Sequence, residues 1–116
     1  MPPSPEEEAD YVEKCRTLND QLRAEFSGGQ IVTTRGVQNL DDAIRNRVFK
    51  AIQSFDDFTE SNDPYGTHEF GGVEVDGIRV WFKIDAYDTQ LEYGSPDASN
   101  PNVTTRVMTI LLPEEY

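Results

Sequence analysis

The run Gly71–Ala86, Gly-Gly-Val-Glu-Val-Asp-Gly-Ile-Arg-Val-Trp-Phe-Lys-Ile-Asp-Ala, constrains the fold more than any other stretch. Its central Asp76-Gly77 suits a two-residue turn, where both residues need positive φ; Gly accepts this freely and Asp tolerates it. After the turn, Ile78, Val80, Phe82, Ile84 and Ala86 alternate with Arg79, Trp81, Lys83, Asp85 and Tyr87, the period of a strand with one buried face. A two-residue turn also fixes register. Val75 should oppose Ile78, Val73 should oppose Val80, and Glu74 should meet Arg79 on the other face. The stretch predicts a β-hairpin.

The segments before it read as helical. Ser4 is a natural N-cap, Pro5 fits the first helical position, and Glu7 completes a capping box. Glu6, Glu7 and Glu8 sit where the helix dipole favours negative charge. Tyr11, Cys15, Leu18, Leu22 and Phe26 then form one apolar stripe, and Ser27-Gly28-Gly29 supplies a left-handed stop. Gln30–Thr34 is a short β-branched strand, and Arg35-Gly36 a turn. A second helix is expected from an Asn39 cap, with Leu40, Ile44, Val48, Ala51, Ile52 and Phe55 on its buried face.

Beyond it, Asp56–Gly66 is a polar loop with turn chemistry at Asn62–Gly66. The first hairpin arm runs roughly over Thr67–Val75. Phe70 is out of phase with Val73 and Val75, so a β-bulge at Gly71-Gly72 is expected to return it to the core, with His68 inward or at its edge. Asp88–Tyr93 is a candidate edge strand, Gly94–Asn102 a loop, and Val103–Leu112 a last strand stopped by Pro113. The order predicts one α+β domain over 1–116, an antiparallel sheet of four or five strands with two helices on one face; residues 1–5 and 113–116 read as loose tails.

Charge narrows the function classes. The chain has 22 acids against 10 bases, a net −12. Residues 56–97 carry eleven of those acids against Arg79 and Lys83, a net −9. This sign opposes direct binding to a nucleic-acid backbone or an anionic membrane. No apolar run is long enough to span a bilayer, and the Glu-rich N-terminus has the wrong polarity for a signal peptide. Asn102-Val103-Thr104 matches a glycosylation sequon, read as chance without such a signal. The lone Cys15 forms no intramolecular disulfide and reads as a small core residue. A cytoplasmic location is expected.

Six stretches carry a family resemblance: Phe55-Asp-Asp-Phe-Thr59, Asn62-Asp-Pro-Tyr-Gly66, His68-Glu-Phe-Gly71, Phe82-Lys-Ile-Asp85, Tyr93-Gly-Ser-Pro-Asp97 and Val103-Thr-Thr-Arg106. In these, from about Leu18 onward, the chain resembles an uncharacterised bacterial family, the domain of unknown function three-seven-six-eight. The resemblance implies a small stand-alone protein of plasmid- and mobile-element-rich genomes, and no known activity.

Many of those residues fall in the loops 56–69 and 88–102. If the loops converge, Asp57, Asn62, Asp63, Tyr65, His68, Asp85, Tyr87, Tyr93, Ser95, Asp97 and Arg106 could share one surface, with Trp81 as a further binding anchor. A catalytic reading uses His68 as general base, Asp85 or Glu69 to orient it, and Ser95 as nucleophile. Against it, the chain has no nucleophile elbow, no H-E-x-x-H, no phosphate loop and no second His. Asp56, Asp57, Glu60, Asn62 and Asp63 are hard oxygen ligands, but their spacing does not match a calcium loop; no metal and no cofactor are expected. Arg106 reads as a structural partner of Asp85 or Asp97. The reading favoured is a non-enzymatic acidic module that binds a protein with a basic surface, imitating nucleic acid to inhibit a host-defence or DNA-processing protein. A small hydrolase or small-molecule binder built on His68, Tyr65 and Asp85 is the alternative. The sequence sets no oligomeric state.

Overall fold

Asp76 and Gly77 both take left-handed backbone, with φ of 52° and 80°, and the hairpin closes as its turn chemistry dictates. The computed structural model describes residues 2–116. In it β2 (Phe70–Val75) pairs antiparallel with β3 (Ile78–Tyr87), with Val75 opposite Ile78, Val73 opposite Val80 and Glu74 opposite Arg79. The register expected from the turn is the register observed.

Around the hairpin stand α1 (Pro5–Glu25), β1 (Gln30–Thr33), a one-turn α2 (Arg35–Gln38), α3 (Asp42–Gln53) and β4 (Thr105–Leu111). The protein is α+β, with a four-stranded sheet in the order β1-β4-β3-β2. The sheet is mixed. β4 runs antiparallel to β3, but β1 lies parallel to β4, with Ile31 beside Met108. The chain leaves β1 through α2 and α3 and starts the hairpin at the far edge, so β4 returns last into the gap, its direction set by β3.

Both long helices cover one face. Leu22 of α1 and Val48 and Ile52 of α3 are fully buried against Val80, Phe82, Met108 and Ile110 of the sheet. Burying Phe82 alone is worth about 2–3 kcal/mol. Its ring meets Phe55 edge-on at 5.5 Å, and Phe55 meets Phe58 at 4.9 Å. This aromatic cluster anchors the start of the polar loop to the core.

Several local expectations change. No bulge forms in β2: Phe70 pairs with Lys83 and Gly72 with Trp81, so Phe70 lies on the open face, its ring 5.4 Å from Trp81. Gly71 takes the inward position instead, because a Cβ there would lie 2.5 Å from the Phe82 ring and 2.6 Å from Phe55. The ring that fills the core at this level comes from the helix side. Asp88–Tyr93 is a turn rather than a strand, since the Asp88 carboxylate accepts from the amides of Gln90 and Glu92; one bridge, Tyr87 to Gly94, follows. Helix α1 begins at its Ser4 cap as expected, but ends with Phe26 itself left-handed at φ 53°. The cap of α3 is Asp41 rather than Asn39, because Arg35–Gln38 uses the preceding residues for its own turn. Residues Pro113–Glu115, expected as a tail, form a 3-10 turn in which Glu115 accepts from the amides of Gly36 and Leu112.

Candidate functional site

Helix α1 lies like a beam between the two polar loops. On one side Arg16 Nε donates to the Gly66 carbonyl at 2.7 Å, and Asn19 Nδ2 to the Thr67 carbonyl at 2.9 Å. His68, in left-handed backbone at φ 60°, turns its ring back toward the helix. The ring stacks on Phe58 at 3.8 Å, nearly parallel, and its Nδ1 bonds Asp20 Oδ1 at 2.8 Å. The same carboxylate oxygen accepts from Arg23 Nη1 at 2.7 Å, and the Arg23 guanidinium lies over the Phe58 ring. Asp63, its side chain only 6% exposed, accepts from the His68 amide. Asn62 clamps the loop from within, accepting from the Thr59 amide and donating to the Asp57 carbonyl. His68, Asp63, Asn62 and the Asp57 backbone thus form one hydrogen-bonded knot.

The residues expected to complete a catalytic set lie elsewhere. Asp85 pairs with Val107 in the sheet register, on the face away from the helices, and takes a 2.8 Å hydrogen bond from Lys83. That bond is the first cause holding the Lys83 ammonium above its ordinary range. The carboxylates at the His68 ring are therefore Asp20, supplied by a helix, and Asp63, its Oδ2 3.7 Å from Nε2, and not Asp85 or Glu69. Ser95 Oγ lies 2.7 Å from Thr104 Oγ1 and accepts from the Asp97 amide. Asp97 accepts from the Ser99 hydroxyl and amide, which hold its carboxyl below the usual range. Both residues build the 95–104 loop. Trp81 sits on the open face between Phe70 and Tyr116, Tyr87 is half-buried, and Tyr65 and Tyr93 are exposed.

The loops do converge, beneath α1, where Arg106 of the expected surface is joined by residues outside that set. A cavity of about 90 Å³ opens there, floored by Ile84 and Ala86 of β3. The helix contributes Tyr11, Cys15 and Asn19; one loop contributes Thr67 and Glu69, and the other Ala98. Arg106 of β4 closes it, 3% exposed. Its Nε donates to Asn19 Oδ1 at 2.8 Å and one terminal nitrogen to the Ala98 carbonyl. Neither expected partner is there: Arg106 faces inward opposite Ala86 while Asp85 faces out, and Asp97 bonds Ser99. Burial lowers the guanidinium's proton affinity and raises those of the Cys15 thiol and Tyr11 phenol. Glu69 is exposed as a residue, yet partial burial of its carboxyl raises that group too, damped by the nearby Thr67 hydroxyl, which makes no hydrogen bond of good geometry. The signal for this site was a polar residue at apolar spacing: Asn19 and Arg23 both interrupt the α1 stripe and are both buried.

Outside, the acids of the polar loops stand alone. Asp56, Asp57, Glu60, Glu92 and Asp97 are exposed, with no cation within ion-pair distance among the described residues. No cluster of three or more His, Cys, Asp or Glu side chains with metal-binding geometry occurs among the described residues. No helix there is long and apolar enough to cross a membrane.

A family model described as "Protein of unknown function (DUF3768)" matches residues 33–115. No curated protein and no solved structure matches the chain.

Proposed function

Because the chain belongs to the DUF3768 family, whose description assigns no activity, we propose its function from its own surface: a non-enzymatic, acidic module that binds a protein partner with a basic surface. The observation that carries this reading is the set of exposed, uncompensated carboxylates on the loops, Asp56, Asp57, Glu60 and Glu92. Carboxylates left without internal cations keep their field for a partner, and that field steers and orients a basic protein. Exposed Tyr65 and Tyr93 supply aromatic anchors among these acids. The partner class that fits is a protein whose basic groove otherwise holds nucleic acid, such as a host-defence or DNA-processing protein. The His68, Asp85 and Ser95 reading loses support, since each is bound to a different structural partner.

The test compares capture from the host's lysate at low salt by three proteins. These are the wild type, His68→Ala, and a variant with Asp56, Asp57, Glu60 and Glu92 all changed to Lys. A basic nucleic-acid-handling protein should be held by the first two, released by moderate salt, and lost from the third. Equal retention by the charge-reversed variant, or nothing specific retained by the wild type, overturns the reading.

A further inference from the structure

Two opposite charges face the cavity beneath α1 without meeting. Arg106 is 3% exposed and has no carboxylate within ion-pair distance among the described residues. A buried guanidinium without a counter-ion is costly, and proteins rarely keep one idle. Asn19 and the Ala98 carbonyl fix its plane through Nε and Nη2, and its other polar neighbour in the cavity is the Cys15 thiol, which carries no formal charge to balance it. Thr67, lining the same cavity, holds a buried hydroxyl with no hydrogen-bond partner. Glu69 lines it too and has no cation within ion-pair distance.

We propose that this cavity binds a small zwitterion of the amino-acid class, its carboxylate on Arg106 and Thr67 and its ammonium on Glu69. An anion alone would meet the Glu69 carboxylate, and a cation alone the Arg106 guanidinium. A molecule carrying both charges a few bonds apart satisfies the two together. The volume of about 90 Å³ corresponds to roughly three waters at the liquid's ~30 Å³ each, which admits glycine or alanine and excludes long side chains. Ile84 and Ala86 give a short side chain an apolar floor. The site is independent of the acidic loop surface, and either can fail without the other.

The test is a titration of isotope-labelled protein with glycine at constant ionic strength, followed by NMR at the Thr67 and Glu69 amides and the Arg106 Nε–H. Acetate and methylammonium serve as single-charge probes. Glycine should give saturable shifts, with each single-charge probe about tenfold weaker or more, the worth of one lost charge-assisted hydrogen bond. Glu69→Gln, at an exposed position the fold tolerates, should weaken glycine by about tenfold and strengthen acetate, which then meets no carboxylate. The proposal is overturned by the absence of saturable shifts up to on the order of 10 mM glycine. It is equally overturned if acetate binds as tightly as glycine, or if Glu69→Gln leaves glycine binding unaltered.

Discussion

His68 Nδ1 lies 2.8 Å from Asp20 Oδ1, so the histidine of a polar loop is bound to a carboxylate presented by the first helix. The bond joins segments 48 residues apart and fixes the loop ring flat against Phe58. It makes His68 a fastening between loop and helix.

Removing that fastening should show in stability. His68→Ala loses a hydrogen bond to a charged acceptor and the stacked ring, and should cost about 2 kcal/mol in urea unfolding. His68→Gly should cost less than His68→Ala, because the residue sits at φ 60°, where a Cβ adds about 1 kcal/mol of strain. If the alanine variant proves the milder of the two, backbone strain is not part of this corner.

Gly71 tests the aromatic packing. A methyl group there must push against Phe82 and Phe55, and the fully buried Phe82 ring is already held edge-on by Phe55. Gly71→Ala should therefore destabilise by about 1–3 kcal/mol. Gly94→Ala is the control: no atom lies within 4 Å of its would-be Cβ, so the change should stay within about 0.5 kcal/mol. Equal effects at the two positions would remove the steric account of why Gly71, and not Phe70, faces the core.

Glu69 and Glu115 should respond to pH in opposite senses. Burial raises the Glu69 carboxyl, so the folded state holds its proton more tightly than the unfolded chain. The charged form then costs stability above the raised value, and that cost is absent below the ordinary Glu range, about 4.3. Glu69→Gln should accordingly melt above the wild type at pH 7, with the difference gone near pH 4 and below. A variant that melts lower at pH 7 would contradict the desolvation.

At Glu115, the Thr34 hydroxyl first, then the amides of Leu112 and Gly36, hold the carboxyl below its usual range. Its contribution is therefore fully present above the unfolded value and is lost as pH falls through the folded one. Glu115→Gln should melt below the wild type at pH 7, and thermal scans at decreasing pH should show the gap closing only under the ordinary Glu range. A gap that persists in strong acid would mean the carboxylate charge is not what holds the last turn.

Local chemistry made the hairpin, both long helices and the α+β class legible in the sequence. The Asp76-Gly77 turn, the two-residue alternation of β3 and the Ser4 cap each act within a few residues and need no knowledge of the rest of the chain. The acidic character of residues 56–97 was equally open to view.

Tertiary structure alone decided what depends on distant neighbours. Phe70 turns outward because Phe55, from beyond the end of α3, already fills the space above Gly71. β1 runs parallel to β4 because the helical connection through α2 and α3 starts β2 in the direction of β1, and two antiparallel steps restore that direction in β4. Arg106 bonds Asn19 across 87 residues rather than either acid near it in sequence, because β4 turns its side chain toward α1. Spacing along the chain carries propensity and periodicity, which are short-ranged. Which side chain fills a given space, or meets a given charge, is fixed only when separate elements pack.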